Sequence, residues 1–199
     1  FPEDEAVISG GNFHGEPMAL PFDFLAIACA ELASISERRT ERMVNAALSN
    51  GLPPFLTVQP GVNSGFMIVQ YSAASMVSEN KVLAHPASVD SIPSSANQED
   101  IVSMGTTAAR KAGWILQNTL SVLAFELLTA CQAVDIRRRE GSFGQGLSPV
   151  LQAVYDAVRR EVAFYETDRE IQPDIQRVER LVRSGALQNI VHEMLPDFR

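Results

Sequence analysis

The sequence predicts an all-α protein, and three observations support this fold class. Apolar residues recur at three- and four-residue spacing over long stretches, as on one face of a helix. No run of alternating polar and apolar residues is long enough for a sheet, and no internal repeat is visible. The chain has 199 residues, 46% hydrophobic and 20% charged, enough for one substantial core. We therefore expect long helices in a central bundle, with a smaller helical C-terminal extension.

The first predicted helix covers residues 18–45. Pro21 falls in its first turn, where a proline is tolerated because the first backbone N–H groups have no partner in the helix. The apolar residues that recur with helical spacing are Leu25, Ala28, Leu32 and Ile35.

A second helix is predicted over residues 65–84 with Ser64 as its N-cap. The third helix is expected to start near Asn97 and to continue to Arg139. The middle of this helix, 120–134, is apolar nearly all round. Such a helix needs neighbours on every side, so we expect it at the centre of a bundle or of an oligomer.

The C-terminal part is predicted to form shorter amphipathic helices. A glycine-containing loop at 141–146 separates them from the third helix, and they cover 148–167 and 174–193. We therefore divide the chain into a bundle region, 1–140, and a C-terminal helical region, 141–199.

The charge of the chain limits its partners. A formal net charge of −8 argues against binding to nucleic acid or to an anionic membrane surface. The most apolar run, 115–134, contains Gln117 and Glu126, which are costly at a bilayer centre, so we expect no membrane-spanning segment. The chain begins with Phe1 rather than with Met and has no signal-peptide pattern, so we expect a piece of a longer polypeptide.

Metal and thiol chemistry are not expected. The three histidines, His14, His85 and His192, are far apart in sequence and no metal-binding motif is present. Cys29 and Cys131 lie alone in apolar helical patterns, which is typical of buried, reduced thiols in a cytoplasmic protein.

Two segments contain residues suited to a binding site. The first, Ser9 to Pro17, reads SGGNFHGEP and combines flexible glycines with aromatic, imidazole, amide and carboxylate groups. Taken alone, a tight turn before a helix explains it. The second, Ser94 to Asp100, reads SSANQED and suits a helix start with Asn97 as N-cap and Asp100 at the third helical position. In the functional alternative, the start of this helix faces a pocket, and Gln98 and Glu99 reach a ligand there.

The same segments resemble a known family. SGGNFHGEP, GLPPFL and SENKVLAHPASVDSIPSSANQEDIVSMGTTAARKA are similar to the C-terminal half of histidine ammonia-lyases, within the aromatic amino acid lyase and aminomutase family. The resemblance is dense over residues 7–134. It implies a homotetramer with a central helical bundle, active sites shared between subunits, and an electrophile, 4-methylidene-imidazole-5-one, that forms autocatalytically from an Ala-Ser-Gly triplet.

No Ala-Ser-Gly occurs in these 199 residues. We therefore expect the electrophile on the N-terminal half of the same enzyme and expect this chain alone to be inactive.

The resemblance also implies roles for individual residues. Phe13 matches the loop aromatic that lines the substrate pocket, and Asn12 and His14 flank it in the same wall. Glu99 matches the carboxylate that faces the substrate imidazole in histidine-specific members. A carboxylate can accept the ring N–H, and such a bond contributes selectivity. Next to it in sequence, Asn97 and Gln98 match amides near the electrophile.

The expected activity is the non-oxidative elimination of ammonia from L-histidine to give urocanate. Ile101 stands where histidine-specific members commonly have His. A phenylalanine or tyrosine ammonia-lyase, or a 2,3-aminomutase of the same family, therefore remains an alternative. From a different class, a catalytically inactive helical assembly fragment is a further alternative.

Overall fold

The computed structural model describes residues 1–198. This range contains α-helices and short turns but no β-sheet, so the predicted fold class is confirmed. The helices are α1 (Glu16–Val44), α2 (Met67–Leu83), α3 (Gly105–Arg139), α4 (Pro149–Glu161), α5 (Gln172–Arg183) and α6 (Ala186–Met194).

The core lies where α1, α2 and α3 meet. α1 and α3 pack along each other, α2 packs against both, and α5 lies across α3. A continuous buried cluster connects Phe66, Leu128 and Val178, so it includes residues from both sides of the predicted boundary at residue 140. That boundary stays a prediction.

The first helix begins earlier than predicted and buries a face of small residues. Gly15, in the left-handed region at φ 69°, turns the chain into α1 at Glu16, so Pro21 lies inside the helix rather than in its first turn. The apolar residues that show the helical spacing are exposed, namely Leu25, Ala28, Leu32 and Ile35. Because α1 is apolar on several faces, periodicity alone does not select the buried one, which contains Ala19, Ala26 and Ala33.

The third helix begins eight residues later than predicted. Asn97 is not its N-cap, and Asp100 lies outside it. Ser95–Asn97 forms a short turn in which Asn97 has φ 69°, and a right-handed helix cannot continue through left-handed residues. α3 starts only at Gly105, whose N–H donates to the Ser103 hydroxyl at 3.2 Å.

The turn before α2 is held by a residue that is distant in sequence. Ser64, the predicted N-cap, contributes no side-chain cap. Instead the Asp168 carboxylate accepts hydrogen bonds from the backbone N–H groups of Ser64 at 2.7 Å and Gly65 at 2.9 Å. These hydrogen bonds hold the turn that leads into α2.

The C-terminal helices are shorter than predicted. The expected helix over 148–167 ends at Glu161, and the expected helix over 174–193 is divided into α5 and α6. Gly185, with φ 73°, separates the last two. Because glycine adopts this left-handed conformation without a steric cost, it interrupts the amphipathic pattern.

Two helices are long and apolar enough to cross a bilayer by length and composition alone, a test that the core helix of a soluble protein also passes. They are α1 and α3. The most apolar 18-residue window of α3 is 61% buried inside the protein, as in the core helix of a soluble protein, whereas that of α1 is only 28% buried. The apolar middle of α3 is therefore covered largely by this chain itself.

Candidate active site

Two consecutive turns, each closed by a backbone hydrogen bond, form the glycine-rich loop, residues 9–15. Phe13 N–H donates to the Gly10 carbonyl at 3.2 Å, and Gly15 N–H donates to the Asn12 carbonyl at 3.0 Å. The second turn leads directly into α1. The Phe13 side chain in this loop is 83% exposed.

The 94–100 loop is a closed turn with strained backbone. Ser94 and Glu99 exchange two backbone hydrogen bonds, of 2.9 and 3.2 Å. Between them, Ser95, Ala96 and Asn97 all have positive φ, between 52° and 69°. Residues other than glycine adopt this conformation at a cost of about 1–2 kcal/mol each. Strain of this kind is concentrated at functional sites, where the surrounding structure maintains it.

The two loops meet through one side-chain contact. His14 Nε2 lies 2.6 Å from Glu99 Oε2, and the two side chains are 36% and 34% exposed. The Phe13 ring packs edge-on against the His14 ring, with centroids 5.0 Å apart and an interplanar angle of 79°. The contact thus places an aromatic face, an imidazole and a carboxylate side by side.

A cavity of about 270 Å³ opens at this contact. Phe13, His14, Glu99 and Ile101 are among the residues that line it. The carboxylate can accept hydrogen bonds on its second oxygen, while Phe13 and Ile101 offer apolar surface. This combination suits a small ligand with a flat ring and a polar N–H.

Sequence reasoning named six site residues, and the cavity brings three of them together. Phe13, His14 and Glu99 line it, whereas the other three do not. The other three residues are Asn12, Asn97 and Gln98. They are exposed, and their side chains form no hydrogen bond within residues 1–198.

A buried serine that was not predicted from the sequence joins the glycine-rich loop to the start of α3. The Ser103 hydroxyl donates to the His14 carbonyl and accepts the Gly105 N–H, and Ser103 is only 5% exposed. These two hydrogen bonds fix the position of the His14 backbone relative to the start of α3. A single serine near a helix start carries no distinctive sequence signal.

A second feature, the Asp23 cluster, holds the connection that leads to the 94–100 loop. It consists of Asp23 on α1, Ser88 on the connection and Lys111 on α3. Asp23 is 1% exposed and accepts hydrogen bonds from the backbone N–H groups of Ala87 and Ser88 and from the Ser88 hydroxyl, all at 2.7–2.8 Å. Lys111 Nζ lies 3.4 Å from the other carboxylate oxygen and donates to the His85 carbonyl. The sequence alone does not reveal this burial, because an acid between Phe22 and Phe24 is equally compatible with an exposed helix face.

Within residues 1–198, no three His, Cys, Asp or Glu side chains converge as metal ligands. Cys29 and Cys131 are both buried free thiols. Burial raises the pKa of Cys131 to about 11, which disfavours the reactive thiolate at neutral pH.

Sequence comparison gives two results. A family model described as aromatic amino acid lyase matches residues 1–160. Histidine ammonia-lyase 1 of Fusobacterium nucleatum is 55% identical over 195 residues, which cover 98% of this chain and 37% of that protein.

Two solved structures have the same fold. Histidine ammonia-lyase from Trypanosoma cruzi superposes with a TM-score of 0.89 and 47% identity, over 99% of this chain and 38% of the other. Tyrosine aminomutase from Streptomyces globisporus gives 0.88 and 41%, over 100% of this chain and 37% of the other. The chain thus spans between 37% and 38% of the length of these proteins. Because proteins named for different substrates fit almost equally well, the shape of the chain does not select a substrate.

Proposed function

The chain belongs to the aromatic amino acid lyase family, and we propose that it forms the substrate-recognising part of a histidine ammonia-lyase. The reaction would be the elimination of ammonia from L-histidine to give urocanate. One observation carries the choice of substrate: the Glu99 carboxylate lines the cavity next to Phe13 and His14. The relative from Fusobacterium nucleatum, which is named a histidine ammonia-lyase, supports the same choice.

Glu99 supplies the recognition of the ring. A carboxylate oxygen that accepts an N–H from the substrate imidazole fixes the orientation of the ring, and an uncharged benzene ring offers no such donor. Phe13 provides an apolar wall for either kind of ring. Because the pocket pairs one charged acceptor with an aromatic face, it favours a substrate that is both flat and polar at its edge.

A phenylalanine- or tyrosine-specific lyase, or an aminomutase, is the second candidate. Ile101 lines the same cavity and is 66% exposed. An apolar side chain at this position favours an apolar substrate ring. The similarity to tyrosine aminomutase supports this alternative as well.

The electrophile proposed for this enzyme is 4-methylidene-imidazole-5-one, which this chain cannot form because it contains no Ala-Ser-Gly triplet. When present, that group makes the substrate amine a better leaving group. The residues here are compatible with a neighbour of this kind: the Asn97 and Gln98 amides are exposed and form no side-chain hydrogen bond within residues 1–198. Both amides are therefore free to donate to a carbonyl oxygen.

Assembly into a cytoplasmic homotetramer is part of the proposal. Large apolar side chains of α1 are between 41% and 65% exposed, namely Met18, Leu20, Phe24, Leu25, Ile27, Leu32 and Ile35. An apolar surface of this extent marks an interface. We expect other copies of the enzyme, and the remainder of the same polypeptide, to cover it.

The test uses a complete lyase in which this chain replaces the matching 37% of the Fusobacterium nucleatum enzyme. We expect Glu99→Gln to lower kcat/KM for histidine by a factor corresponding to about 1–3 kcal/mol, because a neutral hydrogen bond replaces a charge-assisted one. The rate with phenylalanine should stay the same or rise, since Gln removes a charge beside a substrate ring that has no N–H to donate to it. Urocanate and cinnamate absorbance measure the two reactions.

The matched control is Asp90→Asn. It makes the same change of charge at an exposed position of the connection between α2 and α3, outside the cavity. Both rates of this variant should equal those of the parent. If Glu99→Gln changes both substrates equally, Glu99 does not recognise the imidazole, and the aromatic lyases and aminomutases become the better assignment.

A further inference from the structure

We propose that His14 is a positioning residue that holds the Glu99 carboxylate in place for the substrate ring, an inference that rests on the proposed function. The observation is the 2.6 Å contact between His14 Nε2 and Glu99 Oε2. The two residues are 85 positions apart and come from loops before different helices. Their contact is therefore a property of the folded site and not of local sequence.

His14 is attached to rigid structure on both sides. Its carbonyl accepts a hydrogen bond from the buried Ser103 hydroxyl before α3, and the next residue, Gly15, is the N-cap of α1. The glycine-rich loop behind it is closed by the Phe13–Gly10 hydrogen bond. The imidazole therefore projects from a fixed backbone position.

Glu99 has the opposite character. Its backbone is fixed by the two hydrogen bonds to Ser94, but its side chain has three rotatable bonds and is 34% exposed. Within residues 1–198, His14 is the hydrogen-bond partner of this carboxylate. Without that bond the carboxylate is free to turn toward water, and recognition of the substrate requires that it be held beforehand.

The carboxylate has room for both partners. A carboxylate offers two oxygens with about four lone-pair sites. His14, with its proton on Nε2, donates to Oε2 and leaves Oε1 without a hydrogen bond inside the described range. Glu99 would thus bridge two imidazoles, one belonging to His14 and one to the substrate.

The experiment is a double-mutant cycle in the complete lyase described above. His14→Phe keeps an aromatic ring against Phe13 but removes the donor, while His14→Gln restores an N–H donor. We expect His14→Phe to lower kcat/KM for histidine about tenfold, with KM and kcat measured separately, and His14→Gln to recover most of the loss. The reaction of phenylalanine should change by less than about twofold, because its ring has no N–H for Glu99 to accept.

The cycle is completed in the Glu99→Gln background. If His14 acts through Glu99, His14→Phe should have an effect of less than about twofold there. If His14→Phe lowers kcat/KM for histidine tenfold in both backgrounds, His14 acts independently of Glu99. If it changes kcat/KM in neither background, the Glu99 carboxylate is positioned without His14. Both results would overturn the inference while the proposed function stands. An unchanged histidine rate in Glu99→Gln alone would instead overturn the proposed function and this inference with it.

Discussion

Replacement of Asp23 by asparagine tests whether the Asp23 cluster holds the connection before the 94–100 loop. Asp23 is almost completely buried, and one of its oxygens accepts three hydrogen bonds from Ala87 and Ser88. The other oxygen faces Lys111. Asparagine keeps one acceptor oxygen, but it loses the charge and turns an NH₂ group toward the lysine ammonium.

The structure indicates a large effect. A hydrogen bond to a charged group contributes about 1.5–3 kcal/mol, and removal of one partner from a buried ion pair costs about 3–5 kcal/mol. Because Asn retains an acceptor for the connection, we expect Asp23→Asn to lower the free energy of unfolding by about 3 kcal/mol, the lower end of that range. Lys111→Met removes the other charge, so the double variant should lose less than the sum of the two.

The pH dependence has a definite sign. Burial raises the pKa of Asp23, but hydrogen bonds from the Ser88 hydroxyl and backbone, together with the charge of Lys111, outweigh it and bring that pKa below its ordinary value of 3.8. A carboxyl with a lowered pKa stabilises the folded state above its unfolded pKa, and this stability is lost as pH falls through the folded pKa. The stability difference between parent and Asp23→Asn should be constant near neutral pH and narrow below pH 3.8.

Urea unfolding of the full chain, followed by circular dichroism, measures these differences. Asp90→Asn is the control, since it removes an exposed carboxylate from the same connection and should cost only a few tenths of a kcal/mol. A loss below about 1 kcal/mol for Asp23→Asn, or a difference from the parent that does not narrow in acid, would refute the role given to this cluster.

Two further variants test backbone geometry, and urea or thermal unfolding measures both. A Cβ at Gly65, where φ is +54°, would lie 2.5 Å from the Phe55 carbonyl oxygen, so Gly65→Ala should cost about 3 kcal/mol or more. Gly113→Ala in α3 is its control, because it meets open space and should stabilise by about 0.5–1 kcal/mol; similar results for the two would refute the steric argument. Ala96→Gly should stabilise by about 1 kcal/mol because it relieves a left-handed alanine at φ 55°. A fall in the melting temperature of Ala96→Gly would show that this strain does not exist.

The helices could be predicted because apolar residues recur at three- and four-residue spacing over many turns. Their ends could not, because the groups that terminate them come from elsewhere. The turn that leads into α2 forms where Asp168, more than a hundred residues later, accepts hydrogen bonds from the N–H groups of Ser64 and Gly65. α3 starts after a left-handed turn that Ser95–Asn97 adopts although Asn97 is a good N-cap by type. Such tertiary contacts override local propensity and leave no periodic signal.

The residues of the candidate site that lie in short continuous sequence motifs could be predicted. Phe13 and Glu99 lie in recognisable runs, and the structure places both on one cavity. The contact between His14 and Glu99 was not predictable, since it depends on how two helices pack. Ser103 and Asp23, which anchor the loops, act through their burial, and burial of an isolated polar residue cannot be seen in one sequence.

The packing of α1 on α3 explains why the two loops meet at all. Ala19, Ala26 and Ala33 recur every seven residues along α1 and are completely buried, and α3 presents Ala108 and Ala112 with little or no exposure. Small side chains at a helix seam allow the two helices to approach closely. Ala19 is completely buried, and a Cβ at Gly105 would lie 3.6 Å from it, in van der Waals contact, so the starts of the two helices are closely packed. A bulkier side chain at position 19 would push the start of α3 away from α1 and separate His14 from Glu99. The geometry of the site thus depends on a seam of small residues that carries none of its chemistry.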